Sequence, residues 1–328
     1  PDHDDGRRRP RAARPPVKVL VTGADGFVGQ WLCRALLGAG HRVTGTHLTP
    51  EPMPGILTAH ERAAVDWLRL DLSDEGSIAV LATRPADWVV HLAGFASAGE
   101  AARDPGLAWV VNAAGTARVA HYLSRLPAPP VMLLVSSAEV YGAGEPHPRR
   151  ETDPIAPRSA YAASKAAAEI AAREVAQRTE LKVIIARPFP HTGPGQTTTF
   201  VVPAFAARIR AARRDGAATV AVGNLAPVRD LLDVRDVVDA YLGVLSRGVP
   251  GEAYNIARGE GVSVGEVFAR LVRLLGASVR PVADPALVRV ADIPYLVGDP
   301  AKTLAATGWR PRRSLDETLQ DLVDAQAD

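Results

Sequence analysis

A tyrosine and a lysine four residues apart are the side chains with the clearest chemical potential in this sequence. Tyr161 and Lys165 lie in the segment YAASK, and this spacing places both on one face of a helix. A free tyrosine has a pKa of about 10, and a neighbouring ammonium group favours the phenolate. We therefore expect Lys165 to lower the pKa of Tyr161, so that the pair exchanges a proton with a substrate. A solvated helix pair has the same spacing.

Polar residues in three other segments are expected near this pair or its cofactor. Ser137, in SSAEVYG, ends a predicted strand, where open α/β sheets place their sites, and can hydrogen-bond a substrate oxygen beside Tyr161. Asn112, in VNAAGT, is expected where a helix passes under the cofactor. His91, in HLAG, ends another strand and is predicted to be a packed core residue rather than a catalyst.

Three glycines mark a candidate phosphate-binding turn. Gly23, Gly26 and Gly29 form G-x-x-G-x-x-G directly after the apolar strand VKVLVT and at the start of a helix. Glycine lets a pyrophosphate approach the backbone closely, and the helix N-terminus supplies oriented N–H donors. The triplet alone is a weak signal, and a turn without ligand is the alternative. The strand–turn–helix context is the one that a dinucleotide site demands.

The second strand leaves the choice of coenzyme open. In dinucleotide-binding sheets an acidic residue at the end of this strand selects NAD(H), and an arginine accommodates the 2′-phosphate of NADP(H). Here the strand ends in GTHL, residues 45–48, with neither residue type. We therefore expect NADP(H) or NAD(H) as cofactor, with use that is relaxed or leans towards NADP(H). Asp71 is expected to meet the adenine edge, unless it caps the next helix.

Short apolar strands alternate with helices over the first 188 residues. This alternation predicts βαβ units with right-handed connections and helices on both faces of one sheet. The predicted fold class is α/β, a doubly wound parallel sheet (Rossmann) with a smaller C-terminal substrate-binding domain. The predicted strands are 17–22, 41–46, 67–72, 87–94, 131–137 and 182–188, and the main helices are 27–37, 107–125 and 158–178.

The second half of the sequence predicts a smaller unit that partly returns to the main sheet. Helix 200–214, strand TVAVG, helix 234–247, strand EAYNIA and two further helices after residue 263 are expected. The expected division is a dinucleotide-binding domain of residues 17–188 plus about 228–257 and a substrate domain of about 189–227 plus 258–328. Residues 1–16, charged and proline-rich, are predicted to be a disordered tail, with a polyanion-binding arm as the alternative.

The bulk composition is that of an ordinary globular protein. Hydrophobic residues make up 47% and charged residues 23%, and the net charge of +2 argues against a partner bound by bulk electrostatics, such as nucleic acid. No apolar run is long enough to span a bilayer, and no metal site is predicted. The single cysteine, Cys33, is expected to be buried packing, and a cytoplasmic location fits.

Taken together, these motifs resemble the extended short-chain dehydrogenases/reductases that act on nucleotide sugars, the NAD-dependent epimerase/dehydratase family. The resemblance runs from about Val17 to about Leu319 and covers GADGFVG, HLAG, VNAAGT, SSAEVYG, YAASK, RPFPHTGPGQ and VGNLAPVRDLLDVRD. Within the family the sequence looks most like the GDP-4-keto-6-deoxymannose reductases. The HTGPGQ loop, the VGN-x-x-x-VRD segment and the run RVADIPYLVGD with TGWRP downstream are the specific parts.

The resemblance implies roles for individual residues. It implies catalytic roles for Ser137, Tyr161, Lys165 and Glu139. The implied cofactor contacts are Gly23, Gly26, Phe27, Val28, Gly29, Asp71, Leu72, Leu92, Ala93, Gly94, Asn112, Tyr161, Lys165 and Pro188. The implied substrate contacts are His191, Phe200, Val201, Arg229 and Arg289. The two arginines suit the pyrophosphate of a sugar nucleotide. Surface or inter-domain salt bridges are the alternative role for each arginine. A homodimer is also implied, with helices 107–125 and 158–178 in a four-helix bundle.

The implied activity is hydride transfer from NAD(P)H to the C4 ketone of a GDP-4-keto-6-deoxy-hexose, giving a GDP-6-deoxyhexose such as GDP-rhamnose. A sister activity, GDP-mannose 4,6-dehydratase or another nucleotide-sugar epimerase/dehydratase, is the first alternative, and Glu139 stands where such dehydratases carry a glutamate. A non-catalytic dinucleotide-binding sensor is the alternative from another class. The Ser137–Tyr161–Lys165 set argues against it, because a sensor has no need of a proton donor.

Three features favour a reductase over its sister enzymes. The glycine loop continues as Phe27-Val28-Gly29, the second strand lacks an arginine, and the loop Gln196–Phe200 is short and uncharged. One departure from the family is Pro190, where asparagine is usual. A proline cannot make an amide contact to substrate, so phosphate binding or sugar preference is expected to differ.

Overall fold

Seven parallel strands form the central sheet of the structure, a computed structural model that describes residues 15–288 and 293–326. The strands of the described residues are, in chain order, β1 Lys18–Thr22, β2 Arg42–His47, β3 Val65–Arg69, β4 Trp88–His91, β5 Val131–Val135, β6 Lys182–Pro188, β7 His191–Thr192, β8 Thr219–Val222, β9 Val228–Asp230, β10 Leu232–Asp233, β11 Ala253–Ile256, β12 Gly261–Ser263, β13 Arg280–Ala283 and β14 Tyr295–Leu296. The order across the central sheet is β11-β6-β5-β4-β1-β2-β3, and each neighbouring pair is parallel. The predicted parallel sheet is confirmed.

Helices cover both faces of this sheet. They are α1 Phe27–Gly38, α2 Ala59–Ala63, α3 Glu75–Ala79, α4 Ala98–Arg103, α5 Pro105–Trp109, α6 Thr116–Ser124, α7 Ala160–Arg178, α8 Val201–Arg214, α9 Val234–Arg247, α10 Val264–Leu274, α11 Ala301–Thr307 and α12 Leu315–Ala325. Successive strand side chains point to opposite faces. Val19 and Val21 therefore join a core with α1 and α9, whereas Leu20 joins a second core with α6 and α7.

Some element boundaries differ from the prediction. The third strand is Val65–Arg69 rather than 67–72, because the Asp71 carboxylate accepts hydrogen bonds from the amide and hydroxyl of Ser73 and turns the chain. The predicted helix 107–125 is α5 and α6 joined by a π-helical stretch, Val110–Gly115. The predicted tail, apart from Pro15 and Pro16, lies outside the described residues, as does Arg289.

A third hydrophobic core lies in the C-terminal part of the chain. Phe205 and Ile209 of α8 pack there with Phe268 and Leu271 of α10 and with Leu322 of α12. We propose that this unit is the substrate domain expected from the sequence at about 189–227 plus 258–328, without the segment from Ile293 to Trp309, which packs with the main core.

The chain from residue 293 onward returns to the main sheet before it completes that unit. α11 packs against α9 and β11, and the Trp309 indole donates to the carbonyl of Asp236 at 2.9 Å. The sequence predicts two helices after residue 263, but the described residues form three α-helices there. The additional helix is α11. Its seven residues between Pro300 and Gly308 are too few to show a helical period.

Cys33 is completely buried in α1, as expected for a packing residue. Burial raises the pKa of its thiol to about 12, so the thiol stays protonated. None of the helices within residues 15–288 and 293–326 is long and apolar enough to cross a membrane. Over the same residues, no group of three or more His, Cys, Asp or Glu side chains is placed to hold a metal ion.

A buried ion pair joins the sheet to α7. The Arg187 guanidinium of β6 donates from Nε and Nη2 to the Glu169 carboxylate of α7 at 3.0 and 2.7 Å. Its Nη1 donates to the Tyr141 hydroxyl at 3.0 Å and to the Glu151 carbonyl at 3.3 Å. The Tyr141 hydroxyl donates in turn to Asn255 of β11 at 2.7 Å. One guanidinium therefore connects four separate segments of the chain.

Glu169→Gln should lower the free energy of unfolding by about 3–5 kcal/mol, because it leaves the Arg187 charge buried without its counter-charge. Glu174→Gln is the matched control, since Glu174 pairs with Arg178 on the exposed side of the same helix. That change should cost roughly 0.5 kcal/mol or less. Urea unfolding measures both, and equal losses in the two variants would contradict a structural role for the buried pair.

Candidate active site

A cavity of about 1040 Å³ opens at the carboxyl ends of β1, β4, β5 and β6, beside α8. Single small-molecule sites usually measure about 300–1,000 Å³, so this one has room for a dinucleotide and a second ligand. The structure brings nearly all predicted site residues to its wall. These are Gly23, Gly26, Phe27, Val28, Gly29, Asp71, Leu72, Leu92, Ala93, Gly94, Ser137, Glu139, Tyr161, Lys165, Pro188, His191, Phe200, Val201 and Arg229. Asn112 does not line the cavity, and Arg289 lies outside the described residues.

The glycine turn fits a pyrophosphate cradle. A Cβ on Gly29 would lie 2.2 Å from the Gly23 carbonyl oxygen, so only glycine permits this close packing of turn and helix. Gly23 itself has φ +67°, a left-handed conformation that favours glycine. No side chain caps the N-terminus of α1 at Gly26. The first N–H groups of α1 are therefore available to an anion at the cavity wall.

Tyr161 and Ser137 come from two elements that meet at the end of β5. Tyr161 lies in the first turn of α7, which Ser159 caps by accepting from the amide of Ala162 at 3.1 Å. Ser137 caps the 3₁₀ turn Ala138–Tyr141, where its hydroxyl oxygen accepts from the Glu139 amide at 3.2 Å. The hydroxyl proton of Ser137 is thereby left to donate to Tyr161 or to a substrate oxygen.

Burial governs the protonation of this pair. It raises the pKa of Tyr161 well above the ordinary value, the Glu139 charge raises it further, and the hydrogen bond from Ser137 opposes both. This outcome differs from the lowered pKa expected from the neighbouring lysine. Lys165 instead directs Nζ to the Val135 carbonyl at 3.0 Å, and burial lowers its own pKa to about 8. Without ligand, Tyr161 is a neutral phenol.

Asn112 supports the site from behind rather than lining it. Its Oδ1 accepts from the Phe95 amide at 2.9 Å, and its Nδ2 donates to the Ser164 hydroxyl of α7 at 2.9 Å. A Cβ on Gly94, whose φ is +143°, would lie 2.5 Å from that Oδ1. The Asn112 amide thus fixes the loop after β4 to the catalytic helix. It projects from the π-helical stretch, a local feature frequent at functional sites.

His91 is a satisfied core residue, as the sequence predicts. The Thr22 hydroxyl oxygen accepts from the amides of Leu92 and Ala93, both at 3.1 Å, so its proton is directed to His91 Nδ1 at 2.8 Å. Nε2 then carries the ring proton and donates to Thr116 at 3.0 Å. Burial lowers the pKa of His91 to about 3, and the ring stays neutral.

Aromatic and cationic side chains lie on the other wall of the cavity. His191 stacks on Phe27 with ring centroids 6.3 Å apart and an interplanar angle of 10°. Arg229 donates from Nη1 to the carbonyls of Val228 and Ile293 at 3.0 and 2.6 Å. Phe200 precedes α8, whose N-terminus carries no side-chain cap. A second set of helix N–H groups therefore faces the cavity at this end.

Two positions that the sequence left open have defined surroundings. The Asp71 carboxylate binds Ser73, whereas Asp74 caps α3, so the alternative role of Asp71 as a helix cap is excluded. Pro190 lines the cavity, and its carbonyl accepts from the Leu232 amide at 2.9 Å. The proline thus presents an apolar ring to the cavity.

Sequence reasoning missed other residues of the cavity wall, among them Glu100, Ser136 and Tyr241. Glu100 of α4 lines the cavity, and its charge adds to the raised pKa of Tyr161. Ser136 and Tyr241 also line it, and their hydroxyl groups are buried without a hydrogen-bond partner among the described residues. Tyr241 falls on the apolar stripe of α9, which predicts core packing. Its position opposite Tyr161 required the three-dimensional structure.

A glycine cradle for a dinucleotide and a Ser–Tyr–Lys set at the carboxyl edge of a parallel sheet define the site of a short-chain dehydrogenase/reductase. Residues 19–257 match the NAD dependent epimerase/dehydratase family, and the chain belongs to this family. Its relatives include the GDP-6-deoxy-D-mannose reductase of Pseudomonas aeruginosa, 34% identical over 93% of this chain and 96% of the relative. The UDP-glucose 4-epimerase of Mycolicibacterium smegmatis is 28% identical over 94% and 98%.

Solved structures of the same family have the same fold. RMD from Pseudomonas aeruginosa, complexed with NADPH, superposes with a TM-score of 0.79 and 32% identity over 94% of this chain and 98% of that one. The UDP-glucose 4-epimerase of Thermus thermophilus, in complex with NAD, superposes with a TM-score of 0.82 and 29% identity over 94% and 98%. Both coenzymes therefore occur on this fold.

Tyr241→Phe should raise the free energy of unfolding of the ligand-free protein by about 1–3 kcal/mol, because a buried hydroxyl without a partner costs about that much. Tyr141→Phe is the matched control. The Tyr141 hydroxyl has two hydrogen-bond partners, so its removal should lower the free energy. Urea unfolding decides, and a fall in both variants would show that the Tyr241 hydroxyl has a partner.

Proposed function

We propose that this protein is a reductase that acts on a nucleotide sugar, converting the C4 ketone of a GDP-4-keto-6-deoxy-hexose into a hydroxyl group. The relative from Pseudomonas aeruginosa supports this choice, because it is named GDP-6-deoxy-D-mannose reductase and is covered almost completely by the chain. When bound, NAD(P)H supplies the hydride that reaches C4. The residues of this chain have to bind both ligands and provide one proton at O4.

The observation that carries the proposal is that Ser137, Tyr161 and Lys165 meet on the wall of the cavity that also holds the glycine cradle. Reduction of a ketone requires a proton donor at the start, whereas an epimerase or dehydratase first oxidises its sugar and requires a base. Burial and the Glu139 charge keep the proton on Tyr161. We propose that Tyr161 protonates O4, that Ser137 hydrogen-bonds the same oxygen and that Lys165 holds the nicotinamide ribose and favours the phenolate left behind.

We propose that the coenzyme occupies the sheet side of the cavity. The turn at Gly23, Gly26 and Gly29 fits a pyrophosphate, since a Cβ at Gly29 would fill its backbone cradle. Phe27 and Val28 begin α1 beside it, and Asp71 and Leu72 lie at the adenine end. Leu92, Ala93 and Gly94 continue this wall, and Pro188 closes it beside the catalytic pair. Asn112, whose amide fixes the loop at Gly94, stays a proposed coenzyme residue that acts through this loop.

The nucleotide sugar is proposed to bind on the α8 side. Arg229 and the uncapped N-terminus of α8 bring positive charge to one region, which suits a pyrophosphate. Phe200 and Val201 supply apolar contacts next to it, and His191 lies closer to the sheet. Arg289 stays a proposed second pyrophosphate contact. The GDP moiety is taken from the names of relatives, which include a GDP-6-deoxy-D-talose 4-dehydrogenase.

A 4,6-dehydratase is the second candidate, and one observation favours it. Such an enzyme needs an extra acid/base group near the tyrosine, and Glu139 lines the cavity within electrostatic reach of Tyr161. Two relatives are named dTDP-glucose 4,6-dehydratase and cover most of this chain. The carboxylate also serves a reductase, because its charge keeps the Tyr161 proton in place. We therefore propose Glu139 as an electrostatic partner of Tyr161.

The activity is tested with two parallel reactions. GDP-4-keto-6-deoxymannose with reduced coenzyme should give a fall in nicotinamide absorbance, and GDP-mannose alone should give no keto product. Tyr161→Phe should reduce turnover by roughly 10²–10⁴-fold, the usual contribution of a proton donor, while coenzyme affinity stays unchanged because the ring still packs. Keto product from GDP-mannose, with no reaction of the keto sugar, would identify a dehydratase.

We further propose a homodimer formed by α5, α6 and α7, and a cytoplasmic location that fits the single buried Cys33. Large apolar side chains are exposed on these helices and on the π-helical stretch between α5 and α6: Trp109 is 45%, Val110 39% and Ile170 69% exposed. Pairing with the same face of a second copy would remove them from water.

The dimer is tested by light scattering at micromolar concentration. The wild type should have twice the chain mass of 34.6 kDa, and the Val110→Glu/Ile170→Glu variant should be a monomer, because a charge would be buried in the interface. Leu274→Glu changes an exposed apolar residue on α10 and is the matched control. A monomeric wild type, or a dimer that survives the double change, would contradict the proposed interface.

A further inference from the structure

An arginine from the neighbouring strand lies beside the end of β2. Strands β2 and β3 pair in parallel, and Arg69 at the end of β3 is opposite His47 at the end of β2. The Arg69 Nε donates to the carbonyl of Leu48 at 3.2 Å, which anchors the side chain across the β2 end. Leu48 lines the cavity and is 57% exposed. The guanidinium is therefore held at the cavity rim.

The charge of Arg69 acts on Asp71, which lies at the proposed adenine end of the cavity. Asp71, two residues later in the chain, lines the cavity there. Hydrogen bonds from Ser73 lower the pKa of the Asp71 carboxyl most, burial opposes them, and the Arg69 charge lowers it further. Arg69 and Asp71 thus lie within electrostatic reach of each other.

The other arginines near this rim are already engaged. Arg34 forms two hydrogen bonds with the Glu61 carboxylate, both at 2.9 Å. Arg62 donates to the carbonyls of Pro52 and Met53 and lies over the ring of Trp67. By contrast, the terminal nitrogens of Arg69 have no hydrogen-bond or ion-pair partner in the part of the chain that the structure describes. They are free to bind an anion.

We propose that Arg69 binds the 2′-phosphate of NADP(H) and makes NADP(H) the preferred coenzyme. The inference rests on the proposed dinucleotide site and extends it. A guanidinium offers forked donors that match phosphate oxygens, and no carboxylate at the end of β2 repels the phosphate. The sequence pattern for coenzyme choice considers only the residue at the end of β2. Arg69 lies 22 residues after His47 in the sequence and is placed beside it by the pairing of β2 with β3.

The test is calorimetric titration of the full chain with NADP⁺, NAD⁺, adenosine 2′,5′-bisphosphate and AMP. Arg69→Gln should weaken binding of the two 2′-phosphorylated ligands by roughly ten- to a hundredfold and leave NAD⁺ and AMP unchanged. Arg84→Gln is the matched control, since Arg84 pairs with Asp66 and does not line the cavity. It should change none of the four affinities. Arg69→Lys should retain part of the preference.

Two results would overturn the assignment. A wild type that binds NAD⁺ as tightly as NADP⁺ leaves Arg69 without the proposed role. If Arg69→Gln weakened the affinity for all four ligands equally, Arg69 would have a structural role only. If it changed none of the four affinities, Arg69 would not contact the coenzyme. Because these titrations contain no sugar nucleotide, they are independent of the reductase assay. A failed assay with a retained 2′-phosphate preference would reject the proposed reaction and keep the coenzyme assignment.

Discussion

The active site depends on the buried ion pair between Arg187 and Glu169. α7 carries Tyr161 and Lys165, and the Glu169 carboxylate on that helix accepts two hydrogen bonds from a guanidinium rooted in the sheet. The same guanidinium binds Tyr141, which ends the turn that presents Ser137 and Glu139. Tyr161, Ser137 and Glu139 are therefore positioned by one rigid group. Its cost of burial is offset because its donors are directed at partner oxygens.

The burial that fixes these groups also sets their charge. Removing Tyr161 from water raises its pKa, and removing Lys165 lowers its pKa to about 8. Both shifts favour the neutral form, so the ligand-free site starts with a phenol able to donate a proton. The Lys165 charge, which the sequence spacing suggests should lower the pKa of Tyr161, is not among the causes of its shift. Geometry explains the difference, because Lys165 is directed at a backbone carbonyl rather than at the phenol oxygen.

The sequence predicts most of the sheet and the motifs at its edge, since strand hydrophobicity and the glycine turn are local signals. Contacts between distant segments are not local signals. The hydrogen bonds by which Asn112 joins Phe95 to Ser164 are one example, because they depend on a π-helical stretch, which has no distinct sequence period. Tyr241 of α9 and Arg69 of β3 reach the cavity wall or its rim from positions outside the recognised motifs. Their roles depend on packing and strand register.

The central claim is that this site delivers an external hydride to a sugar ketone. Reduced coenzyme with deuterium at both hydrogen positions of the nicotinamide C4, incubated with GDP-4-keto-6-deoxymannose, tests it most directly. Mass spectrometry and NMR of the product should find one deuterium, bonded to C4 of the sugar, in each molecule formed. A sister enzyme that retains its coenzyme through an internal redox cycle would release product without deuterium. That result would contradict the account of Tyr161 as a proton donor in a net reduction.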